Sequence, residues 1–145
     1  MREILYYFVQ KELKMSYEEV FKHNQFFVLI GELNQFDETT ITITMKLKGK
    51  GDFELTDNTL LPFLRKTHGQ FIEKKIKKVI LDLHELEFFN SQGVKAIIDW
   101  ISLVKKESEE NQYNIEVVFD LNLAWQKKIV TPITSFAANI IKIKN

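Results

Sequence analysis

Residues 78–104 read KVILDLHELEFFNSQGVKAIIDWISLV, and the fold class turns on them. Val79, Ile80 and Leu81 form a continuous apolar run, the pattern expected of a central strand covered on both faces. After Asp82-Leu83 comes a short stretch carrying Leu86, Phe88 and Phe89. Asn90-Ser91-Gln92-Gly93 then opens a segment in which Val94, Ile97, Ile98, Ile101 and Val104 recur at helical spacing. That spacing predicts a helix from about Gln92 to Glu107, and a strand followed by a helix is half of a parallel crossover unit.

Downstream, Tyr113–Phe119 (YNIEVVF) reads as the next strand. Trp125, Ile129, Ile133 and Phe136 make another helical stripe, in which Pro132 is expected to kink or restart the helix with Thr131 as a fresh N-cap. Asn139–Ile143 (NIIKI) reads as a short closing strand. Upstream, Asn58–Ile76 predicts an amphipathic helix, with Leu60, Leu61, Leu64, Phe71, Ile72 and Ile76 on one side and Asp57 or Asn58 as its cap. Before it, Thr39–Leu47 (TTITITMKL) alternates as a half-buried strand does, and Lys48–Asp52 (KGKGD) reads as a flexible connection. Tyr17–Phe21 and Phe26–Leu33 suggest a hairpin turned at residues 22–25. The expected class is therefore α/β: a mixed sheet with an N-terminal antiparallel hairpin, a parallel second half joined by right-handed crossovers, and helices packed on the sheet.

The whole chain is consistent with one domain of 145 residues, 45% hydrophobic and 28% charged. Twenty basic residues balance twenty acidic ones, which speaks against a general electrostatic hold on nucleic acid or an anionic membrane. With no cysteine, disulfides, thiolate metal sites and a cysteine nucleophile are excluded, and the absence fits a reducing compartment. No apolar stretch reaches the length of a membrane helix, and the expected location is cytoplasmic. Residues 1–15 read as an N-terminal extension to a domain at 16–145, with Met15 an alternative start. The apolar run Ile4–Val9 is equally compatible with an amphipathic helix that packs on the core or on a second copy.

Residues 78–104 resemble the STAS family, found in anti-sigma-factor antagonists and in the tails of sulfate transporters. The family's mark is a hydrophobic strand ending in Asp-Leu, a short apolar turn, and Asp-Ser-Ser-Gly opening a helix. Here Asp82-Leu83, then Leu86, Phe88 and Phe89, then Asn90-Ser91-Gln92-Gly93 occupy those places. The flanking hairpin and the order of later elements fit over residues 16–145. Trp125-Gln126-Lys127-Lys128 is similar to a segment of small bacterial STAS-like regulators. The resemblance implies a non-catalytic regulatory module that binds a serine kinase or anti-sigma factor, with a serine phosphatase as counter-partner. In the antagonist branch the serine directly before the glycine is phosphorylated. Gln92 stands there and cannot be, while Ser91 matches the first serine of the motif and Asn90 replaces the aspartate. Either Ser91 takes over the phosphorylation, or Gln92 holds the domain in one binding state.

The residues implied at a partner surface are Asn90, Ser91, Gln92, Gly93, Val94 and Trp100, with Ser91 the phosphorylation candidate. Each also has a plain structural reading. Ser91 serves as an N-cap, Gly93 permits close approach to the sheet, and Trp125 belongs to the core. Trp100 lies about one residue off the apolar stripe, so it reads as a boundary or partner-facing residue. Asp82, Glu85 and Glu87 read as solvated surface rather than a carboxylate pair, and His23, His68 and His84 lack metal-ligand spacing. No phosphate loop, dinucleotide fingerprint or nucleophile elbow is present, so no cofactor and no enzymatic activity are expected. A phosphorylation-independent scaffold or homodimer, and a sensor enclosing a small apolar ligand among the twelve phenylalanines, are the alternative readings.

Overall fold

A computed structural model describes residues 17–34, 41–52 and 59–144; the expected extension at 1–15 and the expected caps Asp57 and Asn58 lie outside the described residues. Ten elements follow in order: β1 (Tyr17–His23), β2 (Phe26–Asn34), β3 (Ile41–Gly51), α1 (Leu60–Glu73), β4 (Lys78–Asp82), β5 (Leu86–Phe89), α2 (Ser91–Lys106), β6 (Asn114–Val118), α3 (Ala124–Phe136) and β7 (Ile141–Lys144). The sheet runs β1-β2-β3-β4-β6-β7, with β5 paired to the far end of β3. β1 to β3 are antiparallel, and β3, β4, β6 and β7 are parallel. The expected mixed α/β class is the observed one.

Because the parallel strands are added in one direction, right-handed crossovers place the three described helices on one face. Val79 and Leu81 of β4 and Ile115 and Val117 of β6 point into that layer and are fully buried, as are Ile43, Met45 and Leu47 of β3. The intervening Ile80 is only half-buried. Among the described residues no helix lies over Ile80 on the second side of the sheet.

Three local readings change. β3 does not stop at Leu47 but continues through Gly51, because partners tie down the glycine-rich end. Gly49 donates its N–H to the Glu85 carbonyl at 3.1 Å, and Lys50 donates to the Gln25 carbonyl at 2.9 Å. Gly49 sits at φ +88°, where a Cβ would come within 1.9 Å of the Gln25 carbonyl oxygen, so only glycine fits. The turn of the first hairpin shrinks to Asn24-Gln25, with Asn24 left-handed at φ 54°. Pro132 does not restart a helix: α3 is continuous, and the Thr131 hydroxyl donates to the Lys127 carbonyl at 3.0 Å instead of capping.

Helices α1 and α2 and the entry to β6 meet at a buried polar triad of His68, Trp100 and Tyr113. The Tyr113 hydroxyl accepts the Trp100 indole N–H at 2.9 Å and lies 2.8 Å from His68 Nδ1. His68 Nε2 lies 3.1 Å from Glu107 Oε1. Every group is satisfied when Tyr113 donates to Nδ1 and Nε2–H donates to the carboxylate, which assigns the neutral tautomer. Burial pushes the Tyr113 hydroxyl well above its usual range. Tyr113→Phe strands the Trp100 N–H in an apolar site and should lower unfolding free energy by about 1–3 kcal/mol in urea titration. A change under about 0.5 kcal/mol, the range of an ordinary surface substitution, would show the triad is not a stabilising network.

Candidate functional site

At the carboxyl ends of the parallel strands the chain builds a corner from the β4–β5 loop, β5 and the start of α2. The Leu83 N–H donates to the Val118 carbonyl at 2.8 Å, extending the β4–β6 ladder past its last paired residues. β5 then pairs with β3 at Gly49–Gly51, and the Asn90 N–H donates to the Gly51 carbonyl at 2.9 Å. The helix therefore starts from a backbone already fixed on the sheet.

Asn90, not Ser91, caps α2: its side-chain oxygen accepts the Gly93 N–H at 3.0 Å, and its backbone is extended. This displaces the expected cap by one residue and leaves Ser91 as the first helical position, exposed to solvent. Gln92 and Val94 are half-buried. Gly93 is buried against the Phe89 ring, which a Cβ would approach to 2.5 Å, and Phe89 in turn stacks on Phe26 at 5.6 Å between centroids. The glycine serves close packing and presents no side chain to a partner.

Trp100 is a clear correction. It is 0% exposed, so it has no surface to offer a partner. The buried arc of α2 runs through Gly93, Ala96, Ile97, Trp100, Ile101 and Val104. It is rotated from the expected stripe because α1 flanks the helix as well as the sheet.

Gln126 was visible in the sequence only as part of the segment that resembles STAS-like regulators. It is 0% exposed, and its amide donates to the Leu83 carbonyl at 2.7 Å and the Leu86 carbonyl at 3.1 Å. Its side-chain oxygen accepts the Asp120 N–H at 2.9 Å. One side chain thus joins the loop before β5 to the loop after β6. The buried stripe of α3 is Gln126, Val130 and Ile133, whereas Trp125 and Ile129 are half-buried and Phe136 is 38% exposed. A stripe shifted by one residue, with a glutamine in it, was the available signal.

Two large apolar side chains stand out in solvent on these tied loops: Phe88 at 46% and Leu121 at 51% exposure. The β4–β5 loop also carries charged residues. Asp82 Oδ1 accepts both the backbone N–H and a ring N–H of His84, each at 2.9 Å, a local turn that sequence spacing did not suggest. Lys46 pairs with Glu85 at 2.8 Å. Its ammonium hydrogen-bonds the carboxylate, which holds Glu85 below the usual carboxylate range and raises Lys46. Among the described residues no group of three or more His, Cys, Asp or Glu side chains is placed to hold a metal ion. No described helix is long and apolar enough to cross a membrane.

No family model matches the chain, and no curated protein matches it. It is similar in structure to an anti-sigma factor antagonist from Mycobacterium paratuberculosis, at 14% identity and a TM-score of 0.46, over 90% of this chain and 88% of that one. That similarity is low in identity and in score, and says nothing of partner, chemistry or regulation in this chain.

Asn90→Ala should cost about 1 kcal/mol of stability through loss of the cap, whereas Ser91→Ala should be nearly neutral. Equal effects in chemical denaturation would return the capping role to Ser91. The Lys46–Glu85 pair stabilises only above the ordinary carboxyl range and fades as pH falls through the lowered Glu85 value. Lys46→Met should therefore narrow the stability difference from the parent as pH drops below about 4, by well under about 1 kcal/mol given the exposure of Glu85. A difference that widens on acidification would contradict this sign.

Proposed function

We propose that this chain is a non-catalytic regulatory module that acts by binding other proteins through the corner where β5 meets α2. The observation that carries the proposal is the exposed Phe88 on a strand paired to β3 and tied at Leu86 by Gln126, two residues before the cap of a helix. An exposed aromatic side chain in flexible chain gains little on association because ordering costs entropy. On a preorganised edge that cost is already met by folding. The contact surface would comprise Phe88, Asn90, Ser91, Gln92 and the half-buried Val94, with Leu121 on the neighbouring loop.

The resemblance of residues 78–104 to the STAS family supports the same reading and indicates the kind of partner: a serine kinase or anti-sigma factor, opposed by a serine phosphatase, in the cytoplasm. Ser91 is the position at which a phosphate would act. An exposed hydroxyl on the first residue of α2 would carry roughly −1.5 to −2 charges at a helix N-terminus, which tolerates them. A partner apposed to Phe88 would have to desolvate that charge. The neutral Asn90 cap suits this role better than an aspartate would, because it adds no like charge beside the phosphate.

The half-charged lining of a groove between β1 and α1 gives the ligand-sensor alternative little support. Val20, Ile30 and Phe71 line this space of about 600 Å³ together with the charged Glu18, Glu73 and Lys74.

Phe88→Asp and Ser91→Asp should each weaken capture of the native partner at least tenfold, with melting temperatures within about 2 °C of the parent, since surface changes shift stability little. Undiminished capture by both variants would move the interface elsewhere. Phosphopeptide mass spectrometry of the protein from its host reads out modification at Ser91 directly, and its absence under all growth conditions would leave a constitutive binding module.

A further inference from the structure

Alternation along β3 sends Met45 and Leu47 into the helix layer and Lys46, Lys48 and Lys50 to the opposite face of the sheet. Directly paired residues share a face, so the register builds two adjoining rows there. One is Lys22 on β1, Phe27 on β2 and Lys48 on β3. The other is Lys50 on β3 and Phe88 on β5. The β3–β5 register shifts by one at Glu87, which buries Leu86 and Phe89 and turns Phe88 outward beside Lys50. Lys22, Lys48 and Lys50 are exposed, and the Lys22 ammonium lies 5.6 Å from the centre of the half-buried Phe27 ring. Nearby acids are engaged elsewhere: Glu85 pairs with Lys46 at 2.8 Å, and Asp52 accepts from the Asn90 amide at 3.5 Å. Glu87 is exposed at the irregularity of β5. Among the described residues Lys22, Lys48 and Lys50 form no ion pair, and Lys48 lies in the field of Glu85 without pairing to it. A chain of zero net charge thus gathers unpaired positive charge around one exposed aromatic ring.

We propose that this patch receives an extended acidic segment of a partner protein, with an apolar side chain of that segment set against Phe88. The inference rests on the proposed binding role of the β5–α2 corner and names the chemistry of the partner there. From β1 across β2 and β3 to β5 is three strand spacings, about 14 Å, the length of roughly four extended residues. Carboxylates along such a segment meet lysines on β1 and β3, and the apolar contact at Phe88 sets its register. Single-stranded nucleic acid suits the patch less well. Its binding relies on a track that neutralises several phosphates and on open aromatic faces, whereas three lysines stand here and one of them covers Phe27. Lys48 and Lys50 reach the partner by side chain alone. The Lys50 N–H is already bonded to the Gln25 carbonyl, so charge dependence, not amide exchange, is the signature of this contact.

The probe is a short capped peptide of glutamates around a single leucine, titrated into the isotope-labelled full chain beside its glutamine counterpart and an oligothymidylate. The glutamate peptide should shift the signals of Lys22, Phe27, Lys48, Lys50 and Phe88, and the glutamine peptide should leave them in place. Its affinity should fall at least tenfold between about 0.1 M and about 1 M salt, as the screening length drops from about 10 Å to about 3 Å. Lys48→Glu with Lys50→Glu should cost at least tenfold as well. Lys127→Glu with Lys128→Glu on α3, the same change in net charge, should bind as the parent does. Lys48→Gln with Lys50→Gln guards against a reversal that disturbs the strand, and should weaken binding in the same direction. No localised shift, an equal response to the glutamine peptide, or an equal loss in the α3 variant would overturn the proposal. Tighter binding of oligothymidylate would overturn it too and give the face to nucleic acid. Capture of the native partner that survives the lysine changes but is lost in Phe88→Asp would sink the acidic segment and keep the corner. Capture that survives both would remove the corner itself.

Discussion

A primary amide buried in a protein brings two donors and one acceptor oxygen that must all find partners, and Gln126 finds them in three backbone groups. Its hydrogen bonds to Leu83, Leu86 and Asp120 close the carboxyl end of the sheet and tie the loop before β5 to the loop after β6. Satisfaction of such a network is all or nothing. A glutamine with half its partners is worse than an apolar residue, and one with all of them fixes a unique arrangement. The position of β5, and so of Phe88 and the start of α2, depends on it. The contribution is therefore one of geometry more than of net stability.

Given that anchor, the corner follows from short-range chemistry. Gly51 receives the Asn90 N–H, Asn90 caps α2, and Gly93 lets the first turn settle on Phe89. Each step removes freedom from the backbone while leaving Phe88 and Ser91 in solvent. A rigid turn with an exposed aromatic and an exposed hydroxyl is suited to recognition by another protein.

Much of this architecture was legible in the sequence, because a continuous strand core at Val79–Leu81 and the helical recurrence around Ile97 and Ile101 follow from periodicity alone. The mixed sheet followed from their order. What escaped was decided by long-range partners. The KGKG stretch looks like a flexible connection until Gln25 and Glu85 bind its amides. Helix phase was read one residue off in α2 and α3, because the stripe of purely apolar residues is not the buried stripe. Trp100 is buried through its partner Tyr113, thirteen positions away, and Gln126 through carbonyls some forty positions away. In the candidate site, Asn90, Ser91 and Gln92 were found by motif, whereas the exposure of Phe88 and Leu121 required the fold.

The central claim is that the β5–α2 corner is the protein-binding surface. Hydrogen exchange of the full chain, with and without its isolated native partner, tests this most directly. The account predicts new protection concentrated at residues 86–94 and 120–123, with the strands' outer face and α3 beyond Val130 unchanged. Protection falling instead on the outer face or along the β1 or β7 edge, with the corner exchanging as in the free protein, would contradict it.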